Sequence, residues 1–179
     1  LDEVPRSAAP APGQTTLPAP SFTLLGHTGF GGEGYSGNVA ALGSYAFVGS
    51  WHFGRNCPAL GVRIVDLTDP TAPLWIASTA RYAGTSAEHV VVRTVETAAF
   101  RGTLLAVGIQ RCSQGMPGTP AGVALIDVSD PFEPRELGFF DLGPGVGGVH
   151  ELDLAVRGSE VLALLAVPFS EAARGIGDF

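Results

Sequence analysis

The stretches GVRIVDLTDPTAP (61–73) and GVALIDVSDPFEP (122–134) decide the fold. Each runs from a glycine through an apolar run to an aspartate, then to an Asp-Pro pair and a further proline three residues on. They lie 61 positions apart. Val, Ile and Leu occupy both alternating faces of the apolar run, which marks a strand covered on both sides of its sheet. Asp66 and Asp127 leave the strand, and Asp69 and Asp130 precede a proline that blocks further pairing. Such aspartates read first as turn formers bonding nearby backbone N–H groups. Calcium ligation is the alternative, but no glycine-punctuated D-x-D-x-D loop accompanies them.

Outward from these stretches the register continues. His89 and His150 each stand 20 residues after Asp69 and Asp130, and Asn38 takes the same slot further back. A repeat unit therefore begins near 38, 89 and 150. Each unit predicts four strands. The first is NVAAL (38–42), HVVVRTV (89–95) or HELDLAV (150–156). The second is YAFVGSW (45–51), LLAVGIQ (104–110) or VLALLAV (161–167). The third is GVRIVDL (61–67) or GVALIDV (122–128), and the fourth LWIASTA (74–80) or RELGFFDL (135–142). Four short strands per unit, each sheet lying between neighbours, describe the blades of a β-propeller. The β-branched content and the missing 3.6-residue period exclude a helical solenoid. The predicted fold is all-β, with four-stranded antiparallel blades and about two full blades plus flanking strands in this chain.

The two turn motifs, with a His or Asn opening the next strand, resemble the LVIVD repeat over residues 21–179. That resemblance implies a β-propeller of a secreted or cell-surface protein from bacteria or archaea, used as a scaffold or binding surface. It supplies no catalytic motif. The excursions HFGRNCPAL (52–60) and RCSQGMPGTPA (111–121) are longer than the pattern requires.

Composition agrees with extensive burial. Apolar residues make 45% of the 179 and charged residues only 15%, below the usual quarter. The net charge is −7, and all ten basic residues are arginine, so nothing here suits a phosphate backbone. No apolar run approaches the ~20 residues of a membrane span. Residues 1–20 form a Pro- and Ala-rich stretch, read as an extended arm exposed by processing, with a trimmed chain as the alternative. Two blades with flanking strands do not close a ring. The expected partner is the remainder of the same polypeptide, or another chain that completes the propeller. SFTLLGH (21–27) is expected as the outer strand of a closing blade, and a further third strand is expected to begin at Gly175.

Several side chains are candidates for chemistry. Cys57 and Cys112 lie in equivalent excursions, and an even count in a secreted chain predicts a disulfide between them. Free thiols or metal ligation are the alternatives. Asn38, His89 and His150, flanked by Glu88 and Glu151, open the first strands and would ring one mouth of a central channel. There they would bind a divalent metal or a small polar ligand, or bond backbone in the adjacent blade. GHTGFGGEGYSG (26–37) lacks both the Lys-Ser/Thr of a P-loop and a dinucleotide fingerprint, and no G-x-S-x-G elbow occurs. The expected function is an extracellular scaffold contacting proteins or glycans through its loops. The competing readings are a metal-dependent propeller enzyme and the subunit of a surface filament.

Overall fold

The computed structural model describes residues 22–32, 34–52, 57–112 and 118–167. The proline-rich arm, the strand expected at Gly175 and the tips of the two long excursions lie outside them. The described residues are all-β, with eleven strands and one short 3₁₀ turn. Strands β1 (Tyr35–Leu42), β2 (Tyr45–Trp51), β3 (Val62–Asp66) and β4 (Leu74–Thr79) form an antiparallel sheet in chain order. A second sheet contains β5 (Thr85–Ser86), β6 (Val90–Glu96), β7 (Arg101–Arg111), β8 (Gly122–Asp127) and β9 (Arg135–Asp141). A hairpin of β10 (Glu151–Arg157) and β11 (Glu160–Ala166) makes the third. The first two sheets share an irregularity at the same place, between Ile64 and Val65 and between Leu125 and Ile126.

The sheets stack, and β7 and β8 of the middle one are buried on both faces. Val90, Val92, Leu105, Val107, Ala124 and Ile126 pack with Phe47, Val62 and Ile64 of the first sheet. The alternate residues Val91, Leu104, Ala106 and Val123 pack with Val149, Leu152 and Leu154 beside and within the hairpin. This is why the strand around 122–128 is apolar throughout: successive side chains enter different cores. Each fully buried aliphatic side chain contributes about 1.5–3 kcal/mol. The closest approaches between sheets involve the first strands, with β6 lying against β1 on one side and β10 on the other.

Consecutive sheets are also sewn together by backbone. Before β6 the chain crosses β2, where Ser50 and Ala87 exchange two N–H···O bonds (2.9 and 3.0 Å) and Asn38 N–H donates to Glu88 O (2.9 Å). Before β10 it crosses β7 in the same manner: Val149 N–H donates to Ile109 O (3.2 Å), and Arg111 N–H to Gly147 O (2.9 Å). Each crossing passes over a glycine. A Cβ on Gly49 would lie 2.2 Å from Glu88 O, and one on Gly108 would lie 2.8 Å from Val149 O. Glycine admits this approach of two backbones because it has no side chain.

Three expectations from the sequence change. Residues 22–29 carry no strand, and Phe22, Leu24 and Leu25 are exposed. The first strand of the hairpin is also offset by one residue from the expected alignment. The crossings pair Ala87 with Val149 in role, 62 residues apart, so Glu151 and not His150 occupies the position of His89. The cause is one extra residue in the glycine-rich turn after β9, where Gly143, Gly145 and Gly148 all adopt positive φ. β7 also outruns its expected length, and its far end pairs with the short β5.

The crossing makes a test. Gly49→Ala should lower stability by about 2 kcal/mol or more, because backbone must move. Gly138→Ala meets nothing within 4 Å and should change stability by less than about 0.5 kcal/mol. Denaturant titration of the two variants measures both.

Candidate functional site

The residues expected at the channel mouth divide into two groups. Asn38 and His89 hold adjacent sheets together. Asn38 Oδ1 accepts Val90 N–H at 3.4 Å, and His89 Nδ1 accepts Leu152 N–H at 3.2 Å. An imidazole accepting at Nδ1 is neutral and carries its proton on Nε2. In both cases a side chain just before the regularly paired part of one first strand (Asn38 inside β1, which begins earlier than expected at Tyr35, and His89 ahead of β6) takes an amide from the first strand of the next sheet.

Glu88 and His150 form the second group with Gln110, a residue the sequence reading did not single out. Gln110 Nε2 donates to Glu88 Oε2 at 3.0 Å and lies 3.3 Å from His150 Nδ1. His150 Nδ1 is itself 3.3 Å from Glu88 Oε2. Neutral His150 accepts from the Gln110 amide, whereas protonated His150 donates to the Glu88 carboxylate. Either way the three side chains join the end of β7 to the segments that lead into β6 and β10. Arg93 Nη2 donates to Asp153 Oδ1 at 3.1 Å, linking β6 to β10. Glu151 is exposed, on a groove shared with Asp153, Leu164 and Ala166. Among the described residues no three His, Cys, Asp or Glu side chains gather as a metal would require.

Cys57 and Cys112 form a disulfide, with Cα atoms 6.1 Å apart. The bond ties the base of the 52–60 excursion to the base of 111–121, so one staple restrains both. Closing a loop of this size contributes about 3–4 kcal/mol in the chain-entropy account. Ser86 reinforces the junction: its hydroxyl accepts His52 N–H at 2.9 Å and lies 3.4 Å from Cys112 Sγ.

The four turn aspartates behave alike. Asp66 accepts Thr68 N–H (2.7 Å) and Asp69 accepts Thr71 N–H (2.9 Å). Asp127 accepts Ser129 N–H and Asp130 accepts Phe132 N–H, both at 3.0 Å. Hydrogen bonds from Thr68, Thr71 and Ser129 hold Asp66, Asp69 and Asp127 below the ordinary carboxylate range. Arg135, at 3.1 Å, adds to the effect on Asp127.

A buried arginine also escaped the sequence reading. Arg63 in β3 is 2% exposed, at the position filled by Ala124 in the middle sheet. Its guanidinium lies 4.7 Å from the centroid of Phe30, whose ring also meets Trp75 edge-on at 5.9 Å. The segment around Phe30 thereby covers the outer strands of the first sheet, and a cation over an aromatic face is favourable there.

No family model matches the chain, and no curated protein is significantly similar to it.

The turns set a pH dependence. A carboxylate whose folded pKa is lowered stabilises the fold fully above its unfolded value, about 3.9, and loses that contribution as pH falls through the folded value. Asp127→Ala should therefore cost about 1 kcal/mol at neutral pH, and the difference from the parent should vanish in acid. Asp127→Asn, which keeps an acceptor oxygen, should cost less. Urea titrations at pH 7 and in acid give both values.

Proposed function

We propose that the three sheets are blades of an LVIVD-type β-propeller, and that the chain serves as an extracellular or cell-surface scaffold whose loops contact protein or glycan partners. The observation that carries this reading is the centre of the middle sheet, β7 and β8, covered on both faces, with the neighbouring sheets approaching through their first strands. Sheets arranged face to face and drawn together at one edge are the elements of a radial array. The rest of the ring comes from further polypeptide, of this chain or another.

The disulfide supports an oxidising compartment, since such bonds persist outside the reducing cytosol. Among the described residues no helix is long and apolar enough to cross a membrane. The contact elements are the loops at 26–34, which stops short of the expected 37 because β1 begins at Tyr35, 52–60 and 111–121, because loops carry specificity on rigid β scaffolds. Two of them share the Cys57–Cys112 staple, which fixes their bases and limits the ordering cost of binding. The metal-enzyme reading lacks this kind of support: His89 Nδ1 is already engaged with a backbone amide.

The test is a loop exchange. Replacing 53–56 and 113–117 by Gly-Ser residues, with Cys57 and Cys112 kept and bonded, should abolish retention on a panel of immobilised glycans and cell-envelope proteins. Exchange of the β1–β2 turn at Gly43-Ser44 should leave it intact. Stoichiometric bound metal with a metal-dependent turnover would contradict the scaffold reading.

A further inference from the structure

Each described sheet offers the next one two things: an apolar row on its far face and a hydrogen-bond acceptor at or just before the start of the regularly paired part of its first strand. Asn38 accepts Val90 N–H, and His89 accepts Leu152 N–H. By the 62-residue offset, Glu151 is the third acceptor in this series. Glu151, Asp153 and Ala155 alternate with Leu152 and Leu154, which pack on the middle sheet, and they pair with Ala166, Leu164 and Leu162, so these positions share the other face of the hairpin, with the Asp153 carboxylate reaching back to Arg93. There Leu162 and Leu164 are 42% and 58% exposed. The complementary half stands at the other end of the stack. Val39 is 60% exposed, whereas its equivalents Val90 and Leu152 are 2% and 4% exposed against the preceding sheet. Phe30 covers only the outer side of that face, over Arg63 and Trp75, and leaves Val39 open.

We propose that the hairpin face is a head-to-tail docking surface for a second copy of this chain: β1 of one copy seats on β10–β11 of another, and Glu151 accepts the Val39 N–H. The occupant follows from continuity. The two open faces are the halves of the interface that already joins the first sheet to the second and the second to the third. Such a heterologous contact generates a ring or a filament, according to whether its rotation closes. The inference rests on the stacked-sheet reading but not on the scaffold role, and its test reads mass and not ligand retention.

Sedimentation equilibrium of the full chain across the micromolar range should show concentration-dependent association. Leu164→Arg, which blocks the tail, and Val39→Arg, which blocks the head, should each be monomeric. Their equimolar mixture should form a dimer and nothing larger, because one open head then meets one open tail. Glu151→Ala should weaken association about tenfold, as loss of a charge-assisted hydrogen bond does. Glu151→Gln should restore most of it, since Asn38 does the same work with an amide oxygen. Thermal unfolding verifies that each variant folds, and Leu162→Arg with Ala41→Arg forms a second pair on the same two faces. A parent chain that stays monomeric overturns the proposal, as does Val39→Arg still dimerising through paired tails. So does a mixture of folded variants that remains monomeric.

Discussion

Strands β7 and β8 of the middle sheet have no face to give to water. Along 104–109 and 122–126, neighbouring side chains enter two separate cores, so this sheet is stable only with a sheet on each side. That requirement explains the low charge of the whole chain and the four valines of β6. It also explains why the Asp-Pro turns sit at the periphery, where the chain must reverse without contributing to either core.

Stacking alone would allow the sheets to slide. Register comes from the backbone crossings at Gly49 and Gly108, which lock each leading segment onto the second strand of the sheet before it. Asn38 and His89 then take an amide from the strand that follows. Polar side chains at these heads are therefore part of the packing. An apolar residue there would leave a buried amide unsatisfied, which costs about 1–3 kcal/mol. Farther out, the disulfide and the Phe30–Arg63–Trp75 cluster secure what the cores do not reach.

Much of this was legible in the sequence, for identifiable reasons. The four-strand pattern of the first two sheets follows from apolar runs separated by Gly, Pro and Asp, and strands appear where those runs lie. The pairing of Cys57 with Cys112 followed from their equivalent placement. The position of Glu151 was not legible. Counting from Asp130 places His150 in register with His89, but a glycine-rich turn absorbs one extra residue without any mark in the flanking strands. A one-residue slip exchanges the two faces of a strand, so Leu152 and Leu154 face the core while Glu151 turns away. Arg63 was hidden for a different reason. Its strand reads as apolar, and only the three-dimensional path of the Gly-rich segment brings Phe30 over its guanidinium. Gln110 likewise acquires its role from a crossing between sheets.

The central claim is that the middle sheet depends equally on both neighbours. Its most direct measurement is a pair of truncations on opposite faces: Ile126→Ala, against the first sheet, and Leu104→Ala, against the hairpin side. Each should cost about 2–5 kcal/mol in equilibrium unfolding. If either truncation is tolerated within about 0.5 kcal/mol, that face is not a core, and the stacked arrangement is wrong.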